Sequence, residues 1–308
     1  MSIRIGVGAG LGAPFSPGDY WRWVDYCEDS GIDSIWHSDQ LLGPMVEPLV
    51  MLAALAARTR RMRFGTNALV VSFRDPLIVA KEFATIDYLG DGRLLPVFGV
   101  GRANDLYWAA TGGNAGERGR RADEAIALIR LLLEQEEVEF AGEHFRYSGP
   151  GVEPRPARPI PFWTGGHSAA AIRRTAKLGD GWLGGLIGPE RAGETRRRIE
   201  EALKPAGRTI DADHYGVTLP LRIGRAGDPS VLAARERLTA RMPAEDRGDL
   251  AEAFAVGTPD EVIALIRRHV AAGMSKFVAA PIVQDAADLM EQMRLLVEHV
   301  LPAVEDRD

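Results

Sequence analysis

The sequence predicts an α/β protein built as one (β/α)8 barrel, and three observations predict it. Apolar runs recur as near-continuous stretches rather than alternating ones, as parallel strands covered on both faces require. Each run is followed by helical periodicity, and the joints carry helix-start signals. No duplicated run of strands, long polar linker or low-complexity segment interrupts the 308 residues, so residues 1–308 read as a single domain. A doubly wound sheet is the structural alternative.

The runs are Ile3 to Ala9, Ser34 to Ser38, Met62 to Val70, Leu94 to Val100, Pro161 to Thr164, Gly181 to Ile187, Tyr215 to Ile223 and Lys276 to Pro281. Their number matches a barrel of eight strands. Helix starts follow a common chemistry. Thr258, Pro259, Asp260 and Glu261 form a capping box with proline at the first helical position. Ser16-Pro17, Asp75-Pro76 and Gly188-Pro189 repeat that logic, and Glu47-Pro48 does so with a weaker cap. Gly31, Gly179 and Gly273 stand where a helix exit calls for a left-handed residue. Two stretches, 136–159 and 225–257, exceed a minimal connection and read as insertions that cover a functional face. The second contains Pro229 to Arg241, which fits an additional amphipathic helix.

Composition narrows the function classes. A net charge of −6 argues against nucleic acid or an anionic membrane as partner. Cys27 is the only cysteine, which excludes an internal disulfide framework and a cysteine-based zinc site. The six histidines show no pairing at helical ligand spacing, so no metal is expected. No charged leader with a long apolar run opens the chain, and the expectation is a soluble, cytoplasmic protein.

In a barrel, chemistry gathers where strands end, which orders the search for a site. "DSIWHSDQLLG", residues 33–43, leaves its apolar run at His37, Ser38, Asp39 and Gln40. "VFGVGRAND", residues 97–105, offers Gly99 and Gly101, where a flat ligand can approach backbone, followed by the hydrogen-bonding Arg102 and Asn104. "WTGGHSAAAIRR", residues 163–174, ends a strand in Gly165 and Gly166. Ser168 then caps a helix whose amino end attracts anions, with His167 as a further donor; phosphate binding is the expectation. Walker loops and nucleophile elbows are absent. Trp36, Phe73, Tyr107 and Trp108 fit an aromatic substrate pocket or core packing equally well.

These motifs together resemble the bacterial luciferase-like superfamily. The resemblance runs through "GIDSIWHSDQLLG", the block from Glu47 to Gly101, "PIPFWTGGHSAAAIRRTAKLGDGW" and "GTPDEVIALIRRHVAAGMSKFV". It implies a barrel with insertions that uses either reduced FMN, as a monooxygenase, or the deazaflavin coenzyme F420, as a hydride-transferring oxidoreductase.

The same resemblance implies roles for individual residues. Asp39 occupies the place of an acid beside the ring, the position expected to be catalytic. The histidine that follows this acid in deazaflavin members is replaced by Gln40, which cannot transfer protons near neutral pH. Thr66, Asn67 and Ala68 match the end of the third strand, where a cis bond between Asn67 and Ala68 is expected against the ring. Gly99, Gly101, Arg102 and Asn104 match the strand flanking the cofactor, with Asn104 replacing a glutamate of the sugar oxidoreductases. Gly165 and Gly166 match a backbone cradle for cofactor phosphate, assisted by His167 and Ser168.

The Gly99-Val100-Gly101 pattern favours deazaflavin over FMN. A small organic substrate and a homodimer are implied as partners, with a partner reductase on the FMN reading. A cofactor-binding relative without catalysis is the third reading, raised by Gln40 and Asn104.

Overall fold

The computed structural model describes residues 2–8, 15–240 and 252–305. Ala9 of the first strand, residues 9–12 of the first strand exit, Arg241 and residues 242–251 of the second insertion lie outside them.

In chain order the elements begin with β1 (Arg4–Gly8), α1 (Pro17–Asp29) and β2 (Ser34–His37). Next come α2 (Pro48–Arg58), β3 (Arg63–Thr66), β4 (Leu69–Val70), a 3-10 turn (Val71–Phe73) and α3 (Pro76–Gly90). They continue with β5 (Leu94–Leu95), β6 (Val97–Gly99), α4 (Arg118–Glu134), β7 (Glu137–Ala141), β8 (Arg146–Pro150), β9 (Trp163–Gly165) and α5 (Ala169–Leu178). The remainder is β10 (Gly181–Gly185), α6 (Pro189–Leu203), β11 (Tyr215–Ile223), α7 (Pro229–Ala240), β12 (Ala255–Gly257), α8 (Pro259–Ala271), β13 (Lys276–Pro281) and α9 (Ala286–Leu295). A π turn (Leu296–Val300) and a last helical turn (Leu301–Val304) follow. Contacts divide the chain into two compact units, residues 37–181 and the remainder.

In the unit made of both chain ends, the strands run in the order β10-β11-β13-β1-β2, with β12 added on β11. Every pairing is parallel, with Val7 opposite Ala279 and Gly216 opposite Lys276. Ile5, Val7, Val217, Phe277 and Val278 are buried, as the continuous apolar runs require. The 225–257 insertion is therefore partly sheet: β12 extends the strand layer, and α7 packs Val231 and Ala234 against Val256.

The 37–181 unit holds two parallel groups, β3-β5 and β4-β6-β9. Here the third and fourth predicted strands are each split. The third breaks at a cis bond between Asn67 and Ala68, where the resemblance places one. The fourth breaks at Pro96, which has no N–H to offer a ladder. Thr66 bridges the gap, its hydroxyl donating to the Val97 carbonyl (2.9 Å) and accepting the Val97 N–H (3.0 Å).

The 136–159 insertion contains an antiparallel hairpin, β7 with β8. Both oxygens of Glu124 on α4 accept N–H groups of its turn, from Glu143, His144 and Phe145. Gly142 is required there because a Cβ would strike that carboxylate.

Helix starts match the sequence logic atom for atom. Ser16, Glu47, Asp75, Ser168 and Thr258 each accept a first-turn N–H, and Glu261 completes the capping box. Gly31 and Gly273 take positive φ at helix ends, but Gly179 is extended at φ −90°. Its lack of a side chain serves close approach instead, since a Cβ would lie 3.0 Å from the Thr175 carbonyl. Arg93 satisfies orphan carbonyls at the end of α2 by donating to Ala56 (3.1 Å) and Thr59 (2.9 Å).

Candidate functional site

All the predicted site residues belong to the 37–181 unit and lie at or beyond its strand ends, as a barrel site demands. The apolar run of β2 stops because its exit is stitched to the break in the neighbouring run. The His37 carbonyl accepts the Asn67 N–H (2.7 Å), and Asp39 Oδ2 accepts the Val70 N–H (2.9 Å). These two bonds bracket the cis Asn67–Ala68 bond. The Asp39 side chain is only 1% exposed, and a carboxylate removed from water needs a charged partner. Arg74 supplies it, donating from Nη2 at 2.9 Å. The same nitrogen lies 3.0 Å from Glu47, the residue that caps α2.

Arg74 and Glu47 thus complete a clamp that the candidate residues include only at Asp39. Their sequence signals were the cap before Pro48 and the arginine directly before Asp75-Pro76, neither of which specifies a partner. His37 is fully buried, and desolvation pushes its imidazole down to about 4, so it is neutral near pH 7.

Gly99 faces the bulge. A Cβ on it would come within 3.3 Å of the Ala68 Cβ, so the missing side chain lets the bulged peptide fit beside β6. Gly101 is also closely surrounded. At φ +70° it makes room for protein, because a Cβ would meet Val70 at 2.9 Å and the Phe73 and Trp108 rings at 3.2 Å. Thr66 is fully buried with its hydroxyl committed to Val97. Trp36 takes the core alternative: it is 1% exposed, with its indole N–H donated to Ser34.

The other aromatics form one cluster. Phe73 meets Tyr107 and Trp108 edge to face at centroid distances of 4.6 and 4.4 Å. Beyond β6, the Arg102 N–H is held by Asp105 (2.7 Å) and the Arg102 carbonyl by the Trp108 indole (2.7 Å). Arg102 and Asn104 are themselves exposed. Partial burial, then the charges of Asp105 and Asp39, raise the Tyr107 phenol. Gln40 is exposed, and its amide folds back towards Gly43 in its own loop.

At the β9 exit the predicted helix cap is present. Ser168 accepts the Ala171 N–H (3.2 Å) as cap of α5, and the first turn of that helix contains no acid to neutralise its amino end. Gly166 takes φ +94°, and a Cβ there would sit 3.1 Å from Ala171. His167 and Ser168 are exposed. Register sets the spacing: Val70 pairs with Gly99, and Phe98 with Thr164, so bulge and cradle occupy parallel strand ends with β6 between them. Two strand spacings make that separation about 10 Å.

Among the described residues, Glu124, Glu143 and His144 also converge within 4.8 Å, although Glu124 is engaged by the hairpin turn. No described helix is long and apolar enough to cross a membrane.

Comparison with known proteins places this arrangement. The chain is 28% identical over 311 residues to an F420-dependent glucose-6-phosphate dehydrogenase of Amycolatopsis mediterranei, covering 90% of this chain and 92% of that protein. It is 26% identical to a 5,10-methylenetetrahydromethanopterin reductase of Archaeoglobus fulgidus, covering 91% and 94%. Its structure superposes on monooxygenase RslO1 of Streptomyces bottropensis with a TM-score of 0.83 at 24% identity, covering 97% and 99% of the two chains. An F420-dependent secondary alcohol dehydrogenase with a bound F420-acetone adduct also gives 0.83, at 20% identity and covering 99% and 100%. These likenesses identify the fold as the luciferase-like (β/α)8 barrel. With its residues 1–228 matched by the family model, the chain belongs to the luciferase-like monooxygenase family.

Proposed function

We propose that this protein is an oxidoreductase that binds coenzyme F420 and passes hydride to or from a small organic substrate. The observation that carries the reading is the pairing of the clamped bulge at Asn67–Ala68 with the glycine and serine cradle about two strand spacings away. That span suits a flat ring joined to phosphate by a five-carbon chain. When bound, the deazaflavin supplies two-electron hydride chemistry.

The chain's own residues do the rest. Asn67 and Ala68 back the ring, Gly99 leaves space for them, and Gly165, Gly166, His167 and Ser168 receive phosphate. Exposed Arg102 and Asn104 donate hydrogen bonds at the rim. Asp39 acts as a positioning residue: with its carboxylate held by Val70 and Arg74, it sets the bulge rather than moving a proton. Gln40 lies beside it as a neutral hydrogen-bonding group.

Titration of the purified protein with oxidised deazaflavin, followed by fluorescence quenching, tests the reading against a parallel titration with reduced FMN and an oxygen electrode. Saturable quenching without oxygen uptake is expected. Oxygen uptake with reduced FMN would instead indicate the monooxygenase reading and its need for a partner reductase. Gly165→Asp should weaken deazaflavin binding by about tenfold or more, because it sets a carboxylate against phosphate.

A homodimer accompanies this reading. Val50 on α2 and Ile78 and Tyr88 on α3 are exposed, and those two helices pack side by side. Light scattering should give the dimer mass, and Val50→Glu combined with Ile78→Glu should give the monomer. A cytoplasmic setting accompanies the reading and suits a chain whose one cysteine, Cys27, is buried and free of a disulfide.

A further inference from the structure

We infer that the turn of the β7–β8 hairpin binds a divalent transition-metal cation of the zinc class, held by Glu124, Glu143 and His144, and that the cation fastens the turn to α4. The inference goes beyond the cofactor reading and does not depend on it. One oxygen of each glutamate and one ring nitrogen of His144 lie within 4.8 Å of one another. A cation that takes such ligands at about 2.0–2.2 Å draws them in by little more than a rotation of the exposed Glu143 side chain.

Converging acids are common on protein surfaces without a cation, and the histidine sets this group apart. The His144 side chain is 9% exposed, and its Nε2 is buried with no hydrogen-bond partner among the described residues. A polar atom withdrawn from water in that way calls for a partner. The other ring nitrogen, Nδ1, lies 4.0 Å from Glu117 Oε2. A carboxylate beside one nitrogen turns the other towards a metal, which is the usual support of a metal-bound imidazole. His269 also buries ring nitrogens without partners, but no described pair of carboxylates converges on it.

The carboxylates keep capacity for a cation. Glu124 Oε2 accepts two N–H groups of the turn, from His144 and Phe145, whereas Oε1 accepts one, from Glu143. A carboxylate oxygen has two lone pairs, so Oε1 retains one. Glu143 pairs with Arg120 Nε at 3.7 Å, and with those side chains 64% and 63% exposed the contact is weak enough to yield. Two carboxylates and one imidazole, with water in the fourth position, suit zinc and its neighbours, whereas magnesium and calcium prefer oxygen throughout. The expectation of no metal looks for histidines paired along one helix. Donors from a helix and from a turn 19 and 20 residues further on escape that search.

The test titrates untagged, chelator-stripped protein with zinc, magnesium and calcium chlorides by calorimetry, and follows amide exchange at residues 142–145 with and without zinc. A single equivalent of zinc should bind and slow those amides by about tenfold or more, because their turn is then tied to α4 through metal as well as through Glu124. Magnesium and calcium at the same concentration should give no binding heat. Glu143→Gln, which keeps the shape of an exposed side chain and the backbone N–H, should weaken zinc by about tenfold or more, and His144→Ala should weaken it further. Asp213→Asn, in the separate group of Asp211, Asp213 and His214, should leave zinc affinity unchanged. Circular dichroism checks the folding of His144→Ala, and Glu143→Gln decides alone if that variant does not fold. A wild-type protein that binds no zinc, folded variants at Glu143 and His144 that bind it as tightly as the wild type, or magnesium bound as tightly as zinc would each overturn the inference.

Discussion

The two units of this chain treat their strands differently. In the unit of the chain ends, β11 runs unbroken through Tyr215–Ile223 and β13 through Lys276–Pro281, paired residue by residue. In the 37–181 unit, the third and fourth runs each break in the middle, and side chains take over the lost ladder bonds: Thr66 for Val97, Asp39 for Val70. The difference teaches where to look for chemistry. The unbroken strands borrow side chains near their ends, Glu305 for the Ile5 N–H and Gln292 for both backbone groups of Ile223, whereas the broken runs need them in mid-run, and those mid-run partners outline the candidate site.

The strongest way to break this comparison uses two charge pairs, one in each unit. Asp39→Ala leaves Arg74 with Glu47 as its remaining acid and frees the Val70 N–H, and should cost about 3 kcal/mol in urea unfolding and also lower deazaflavin affinity. Asp288→Ala removes the partner of Arg222 in the other unit, where the two side chains are 18% and 11% exposed. It should cost stability while leaving cofactor affinity in the refolded protein intact. Equal effects of the two substitutions on cofactor affinity would remove the special status of the clamp.

A second comparison uses pH, because each unit buries one histidine. Desolvation pushes both His37 and His269 down to about 4. The unfolded chain therefore binds protons below about pH 6.5 that the folded chain refuses. Stability from this source is fully present above that pH and is lost as pH falls from about 6.5 to 4, by up to about 3 kcal/mol for each histidine. His269→Phe should remove about half of the acid-side loss, read from urea midpoints across that window. An unchanged profile would show that burial of His269 does not govern the slope.

Thr66→Val is the mildest test. It keeps the shape but orphans the Val97 N–H and carbonyl, and should cost about 1–3 kcal/mol. Cofactor affinity should fall with it if the break supports the ring, and a thermal shift without that fall would confine Thr66 to stability.

How far the sequence reached depends on the range of the interaction involved. Caps such as Thr258 with Glu261, and Ser168 ahead of α5, act within one helical turn, so the residues that make them are neighbours in sequence. The cis position came from the family resemblance. The Asp39 clamp was half visible: the run stopping at His37 marked the strand exit, but the partners lie 31 and 35 residues away at Val70 and Arg74. Gly101 reads as a ligand approach in one dimension, and only the third shows that its missing side chain leaves room for Phe73 and Trp108.

By itself, then, the sequence determined the alternation of strands and helices, the helix starts, the glycine and serine turn ahead of α5 and the net negative charge, all consequences of local pattern and composition. Tertiary structure alone decided that two strands break, that Asp39 is buried against Arg74, and that one insertion is a hairpin held by Glu124 while the other lengthens the sheet. The physical reason is burial: a polar group withdrawn from water must find a partner wherever the fold brings one, and linear sequence does not say where that will be.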